Sequence, residues 1–204
     1  MSRPEILTNY DTIDLARLHG EAARCANELP GSRFIEIGTR SGHSAMAVLY
    51  ALAETQKVHW FFTVDPYGDK PYKDGSNDKN IYDYGEIHYR NAMASLSKFA
   101  FDHELLHYHW RMTSKDFRNL SESIEFWHEG EPHKPDYGFV FLDGEHDLES
   151  VTQEIAWFLP RMRAGAALIV DDVDRTKGLT ADVLNGLLGT TWQIEGRKLY
   201  WRKV

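Results

Sequence analysis

The sequence predicts an α/β chain: a doubly wound, mostly parallel sheet with helices on both faces and an antiparallel hairpin at its C-terminal end. Three observations carry that expectation. Short apolar runs alternate with amphipathic helical stretches almost without interruption. Four of the five candidate parallel strands end in an acid or lead straight into one. The first strand passes through a glycine-bounded turn into a helix within the segment Phe34 to Ala45. Apolar runs set between helices are what strands buried on both faces look like.

Taken in order, an amphipathic helix is expected from about Thr12 to Leu29, stopped by Pro30-Gly31. Leu15, Leu18, Ala22, Cys25 and Leu29 form its apolar stripe, so Cys25 reads as a buried apolar residue rather than a catalytic thiol. A strand Arg33 to Ile37 follows, then a helix from about His43 to Glu54 and a strand Val58 to Val64 that ends at Asp65-Pro66. After a polar, tyrosine-bearing segment come a helix near Gly85 to Lys98 and a strand near Glu104 to Trp110. The fourth strand, Tyr137 to Leu142, and the fifth, Ala166 to Val170, flank a helix from about Leu148 to Leu159. There Leu148, Val151, Ile155, Phe158 and Leu159 make the buried face and Pro160 ends it. Thr191 to Glu195 and Lys198 to Arg202, hinged at Gly196-Arg197, read as the closing hairpin.

At 204 residues the chain suits one α/β domain with a substantial core. A net charge of −8 argues against a nucleic-acid backbone as partner, since such proteins gather Lys and Arg on one face. No apolar run approaches the roughly 18 residues of a membrane helix, and the start lacks the order of a signal peptide. A single cysteine cannot form an internal disulfide. The expectation is a soluble, cytoplasmic protein with a small-molecule partner, no nucleic acid and no membrane. Assembly as a homo-oligomer is left open.

The segment Phe34-Ile35-Glu36-Ile37-Gly38-Thr39-Arg40-Ser41-Gly42-His43-Ser44-Ala45 carries the first functional signal. Gly38 and Gly42 would let the chain turn without a Cβ in the way, and the N–H groups opening the next helix would face a ligand's polar end. The spacing E-x-G-x-x-x-G-x-S differs from the G-x-G-x-x-G of dinucleotide enzymes. It resembles the first motif of class I S-adenosylmethionine-dependent methyltransferases, whose Rossmann-like fold also closes with a C-terminal hairpin. The resemblance implies that Glu36, Gly38, Thr39, Gly42 and Ser44 surround the methionine half of S-adenosylmethionine. An acid about twenty residues beyond a glycine turn commonly accepts from ribose hydroxyls, and Asp65 stands there; its simpler role is a turn residue before Pro66. The resemblance places the adenine pocket after the third strand, at Met112, Thr113 and Ser114.

The second signal is the pair Phe141-Leu142-Asp143-Gly144-Glu145-His146 and Leu168-Ile169-Val170-Asp171-Asp172. Three carboxylates at one sheet rim raise each other's pKa unless something cationic sits among them, and oxygen-rich clusters of this kind suit magnesium. The pattern is similar to the metal-dependent O-methyltransferases, most closely the macrocin O-methyltransferase-like group that methylates sugar hydroxyls. That resemblance implies Mg2+ or Mn2+ on Asp143, Asp171 and Asp172, and His146 as general base in the D-G-x-H position. Catechol-type enzymes usually carry Asn where this chain has Asp172. The structural alternative makes Asp143 and Asp171 strand-end caps, Asp172 a solvated neighbour and His146 a residue leading into a helix.

The expected activity is therefore S-adenosylmethionine-dependent methylation, with magnesium, of a small-molecule or sugar hydroxyl. A metal-independent N- or O-methyltransferase and a non-catalytic cofactor-binding module are the alternatives. Residues 1–204 would form one such domain. Pro66 to Tyr84, where tyrosines interleave with aspartates, would be a lid or substrate loop or a solvated insertion. His103, His107 and His109 are assigned structural roles, His107 and His109 on one face of a buried strand. The Asn119-Leu120-Ser121 sequon carries no weight without secretion.

Overall fold

The computed structural model describes residues 15–55, 57–68, 85–123, 126–128, 131–133 and 136–204. The first helix, α1 (Leu15–Glu28), leads into β1 (Arg33–Ile37), followed by α2 (His43–Thr55) and β2 (Trp60–Val64). Then come α3 (Glu86–Asp102), β3 (Leu106–Trp110), α4 (Ser114–Ser123), and the short strands β4 (Phe126–His128) and β5 (Glu131–His133). The chain continues through β6 (Tyr137–Leu142), α5 (Leu148–Phe158), β7 (Met162–Val170) and α6 (Ala181–Leu188), and closes with β8 (Gln193–Glu195) and β9 (Lys198–Arg202).

Seven strands form one sheet in the order β3-β2-β1-β6-β7-β9-β8. β1 pairs in parallel with both β2 and β6, so the strand order reverses beside β1. Such a switch point opens a crevice at the carboxyl ends of its strands. β9 runs antiparallel to β7, and β8 antiparallel to β9, as the hairpin reading expected.

Alternation along each strand divides the core into two. Phe34, Phe61, Phe139, Phe141 and Ile169 pack with the apolar faces of α1 and α2 and with Leu96 of α3. Ile35, Val64, Val140, Leu142, Leu168 and Val170 face the opposite way, onto Phe117 of α4, Val151 and Ile155 of α5, and Leu184 of α6. Cys25 is fully buried in the first cluster, and burial pushes its thiol up to about 11, which makes it inert. Among the described residues no helix is long and apolar enough to cross a membrane.

Several elements differ from the sequence reading. Residues 12–14 of the expected first helix lie outside the described residues, as do 69–84 of the expected lid. β2 begins at Trp60, leaving Val58 exposed, and β7 begins at Met162, four residues before the expected Ala166. α3 runs on to Asp102, and the chain turns just beyond it at Glu104, whose φ is +56°. The β3 strand is the sheet edge and only half-buried, where a buried strand was expected, because nothing in the sheet pairs beyond it. The α4 and α6 helices and the β4–β5 hairpin were not anticipated. Both helices carry legible starts: Thr113 caps through Asp116, and the Thr180 side chain accepts from the Val183 N–H.

Candidate functional site

The crevice beside β1 is built from two rims, one carried by β1 and β2, the other by β6 and β7. On the first rim Gly38 and Gly42 have φ of +87° and +80°, so both need the left-handed freedom of glycine. A Cβ on Gly38 would lie 2.0 Å from the backbone oxygen of Asp143, so this glycine brings the two rims together. Gly42 packs instead on Leu96 of α3.

Asp65 organises the loop between those glycines. Its Oδ2 accepts from the N–H groups of Thr39 and Arg40 at 3.0 Å each, and its Oδ1 from the N–H of Tyr67 at 2.9 Å. The Tyr67 hydroxyl donates to the Arg40 carbonyl, tying the far side of the same turn. The Thr39 and Arg40 N–H groups thus have a carboxylate of the protein as their partner. Burial holds Asp65 above the ordinary carboxylate range even with three donors around it.

Glu36, fully buried in β1, is raised much further. Burial is the main cause, the charges of Asp143 and Asp65 add to it, and the Ser44 hydroxyl donating to Oε1 opposes it. Glu36 Oε2 and the buried Thr39 Oγ1 have no hydrogen-bond partner among the described residues. Unspent polar atoms at a switch-point rim fit the polar end of a bound cofactor, because leaving them unmet costs about 1–3 kcal/mol each. Glu36 and Thr39 thus suit the group expected here. Met112, Thr113 and Ser114 follow β3 as expected but have other work: Met112 packs on the second core, Thr113 caps α4, and Ser114 Oγ accepts from Arg118 at 3.4 Å.

On the second rim, the structure brings Asp143, His146, Asp171 and Asp172 together, all nearly buried. His146 Nε2 lies 3.5 Å from Asp172 Oδ2 and 3.9 Å from Asp143 Oδ1. Burial lowers the imidazole's pKa, opposed by Asp172, while burial and the charge of Asp171 raise the Asp143 carboxyl. Asp147, next to His146, caps α5 by accepting from the Ser150 N–H at 3.0 Å, which anchors the turn. Asp172 itself has a φ of +49°.

The cations that the sequence reading left to a metal belong to the chain. Asp171 Oδ2 meets Lys198 Nζ at 2.6 Å, and its Oδ1 accepts from the Asp172 N–H at 2.8 Å. Asp172 meets Arg197 Nε at 3.2 Å on Oδ1 and Arg175 at 3.1 Å on Oδ2. Among the described residues, no group of three or more His, Cys, Asp or Glu is arranged to hold a metal ion. Asp143, Asp171 and Asp172, the expected magnesium set, thus stand together at one rim, with two of the three carboxylates engaged in ion pairs. Lys198, Arg197 and Arg175 escaped the sequence reading because a basic residue in a terminal hairpin has no spacing that ties it to a distant acid.

His107 and His109 keep the structural role expected of them. Their rings meet Thr63 Oγ1 at 2.9 and 3.0 Å from the neighbouring strand, away from any carboxylate cluster.

Comparison with known proteins now decides the family. The family model described as "Methyltransferase domain" matches residues 35–173, which run from β1 through both rims to the turn after β7. The chain belongs to the methyltransferase domain family. Its fold is similar to that of CalS11, a calicheamicin methyltransferase, with a TM-score of 0.63 at 13% identity over 93% of this chain and 78% of that one. It also resembles the O-methyltransferase TomG of Streptomyces achromogenes, involved in tomaymycin synthesis and solved with S-adenosylmethionine. There the TM-score is 0.57 at 16% identity, covering 95% of this chain and 82% of TomG. A Bacillus cereus O-methyltransferase solved with S-adenosylhomocysteine gives 0.56 at 13%, covering 97% and 84%. At such identities the likeness speaks for the class I S-adenosylmethionine-dependent fold. No match was found among curated protein sequences.

Proposed function

We propose that this methyltransferase transfers the methyl group of S-adenosylmethionine to a hydroxyl of a small molecule, with His146 as general base. The observation that supports it most is the placing of His146, buried beside Asp143 and Asp172 at the ends of β6 and β7. When bound, the sulfonium cofactor supplies an activated methyl group, so the protein's tasks are alignment and deprotonation.

Each task has residues suited to it. Glu36 and Thr39 present unspent polar atoms on the first rim, and Asp65 holds the loop that carries Thr39 and Arg40. His146, neutral because it is buried, can take the acceptor's proton on Nε2, and Asp172 at 3.5 Å stabilises the imidazolium that forms. The acceptor class follows the relatives: TomG is an O-methyltransferase, and CalS11 is described as a TDP-rhamnose 3′-O-methyltransferase. A sugar hydroxyl is accordingly the first acceptor to try. Magnesium or manganese, which the sequence resemblance implied, would have to displace existing ion pairs, and no step is assigned to it. A cytoplasmic setting and assembly as a homo-oligomer belong to the same proposal.

The decisive experiment is isothermal calorimetry with S-adenosylmethionine, S-adenosylhomocysteine and NAD, followed by a radiolabelled methyl-transfer assay over nucleotide-sugar and phenolic acceptors. Binding of the two sulfur ligands and labelled ether product are expected. Binding of NAD alone would sink the reading, and tight cofactor binding without turnover on any acceptor would favour a non-catalytic binding module.

A further inference from the structure

We propose that Lys198 is the resident cation of the β6–β7 rim, and that with Arg197 and Arg175 it stands where a divalent ion would otherwise be needed. The C-terminal hairpin thereby completes the site. Val170 pairs with Leu199 across the antiparallel β7–β9 ladder, so the next residue of each strand, Asp171 and Lys198, meet just beyond the last pair. Lys198 is 2% exposed, its Nζ sits 2.6 Å from Asp171 Oδ2, and it lies 5.8 Å from the Phe141 ring centroid, beside the strand that delivers Asp143. Alongside it, the Val173 N–H donates to the Arg197 carbonyl at 3.0 Å, which fixes the hairpin turn against the segment leaving β7. From that turn the Arg197 side chain reaches Asp172 Oδ1, while Arg175 takes Oδ2.

A magnesium ion needs carboxylate oxygens free to approach it in near-octahedral geometry. Here both Asp171 oxygens have a cation or an N–H donor, and Asp172 lies within ion-pair distance of Arg175 and Arg197, although its Oδ1 accepts no hydrogen bond among the described residues. Removing a buried partner leaves an uncompensated charge, so an ion can enter only at the cost of the pair it breaks. Lys198 acts through Asp171 and is a positioning residue: it holds the carboxylates in one arrangement around His146 without touching the reacting atoms.

The test is titration of Mn2+ alone into the full-length protein, read as loss of the free-ion electron paramagnetic resonance signal. Wild type and Lys198→Arg should leave the free-ion signal unchanged. Lys198→Met should bind Mn2+ about tenfold more tightly or better, since even 1.4 kcal/mol of removed competition is a factor of ten. If Lys198→Met does not fold by circular dichroism, Arg197→Gln, at a part-exposed position, should show the same gain in smaller measure. One equivalent of Mn2+ taken up by wild type and lost in Asp171→Asn would overturn the proposal. So would a folded Lys198→Met, or Arg197→Gln in its place, binding no better than wild type. The inference rests on the methyltransferase reading only for its meaning in catalysis. S-adenosylhomocysteine calorimetry on the same samples separates the two: absent binding defeats that reading and leaves the manganese result standing.

Discussion

The two rims of the crevice satisfy their buried acids in opposite ways. On the β1–β2 rim, Asp65 is met by three backbone N–H groups from a loop about twenty-five residues before it and from its own turn. On the β6–β7 rim, Asp171 and Asp172 are met mainly by side-chain cations, two of them from the terminal hairpin. Backbone donors are neutral and fixed in place by the chain's course, so Asp65 shapes a loop. Side-chain cations bring full charge and answer to pH, salt and competing ions, so the second rim is where chemistry can be tuned. His146 sits on that second rim, and the glycine that joins the rims sits on the first.

The sharpest way to break this comparison is His146→Ala. If the second rim does the proton chemistry and the first holds the cofactor, turnover should fall by about 10²–10⁴ while S-adenosylhomocysteine affinity stays near wild type. The pH–rate profile should lose its rising limb in the variant. Near-normal turnover with an unchanged profile would return His146 to a purely structural role.

Gly38→Ala probes the junction. The added Cβ meets the Asp143 backbone oxygen at 2.0 Å and demands a φ of +87°, so a loss of about 4 kcal/mol or more is expected in urea unfolding. Gly42→Ala, with the same backbone strain but only the Leu96 side chain at 3.3 Å, should lose less. Equal losses would show that the rims can part without cost.

Asp65→Ala should weaken cofactor binding by about 1.5–3 kcal/mol, the usual size for a hydrogen bond to a charged group. Since Asp65 organises the Thr39–Arg40 loop, amide exchange at Thr39, Arg40 and Tyr67 should quicken in the same variant. Weaker binding without quicker exchange would point instead to a direct ribose contact.

The smallest effect is expected at the sheet edge. Burial holds His107 and His109 down at about 4, so they are neutral in the folded protein while the unfolded chain binds protons near pH 6.5. A depressed histidine contributes stability that is present above pH 6.5 and is lost as pH falls toward 4, because the unfolded state then holds more protons. Screening at this half-buried edge reduces the effect to about 1–2 kcal/mol for the pair. Glu154 and Glu36 have raised pKa values and oppose it with the reverse sign, Glu154 sitting at about 7. The quantity to measure is therefore the stability difference between wild type and a His107→Asn, His109→Asn double variant from pH 7 to pH 4.5. A flat difference would refute the assignment.

How legible the molecule was follows the same division. The strands β1, β6 and β9, the helix α5 and the glycine turn were readable because each rests on local pattern: apolar runs, a proline stop, glycines at a turn. The α4 and α6 helices were missed although Thr113 and Thr180 signal their starts, since α4 carries only Phe117 and Leu120 among polar residues and α6 is only eight residues long. That Asp143, His146, Asp171 and Asp172 would meet was readable too, because parallel strands deliver their carboxyl ends to one edge.

What neutralises those acids was not readable. The sequence alone determined the α/β fold, the residue types at each strand end and the family to which such a pattern belongs, because these follow from periodicity and from turns a few residues long. Tertiary structure decided that Lys198 lies against Asp171, that Arg197 and Arg175 take Asp172, and that Asp65 is spent on the Thr39–Arg40 loop. The reason is physical: ion-pair partners are chosen by strand order and register, which bring residues 198 and 171 side by side, and no local pattern encodes that distance.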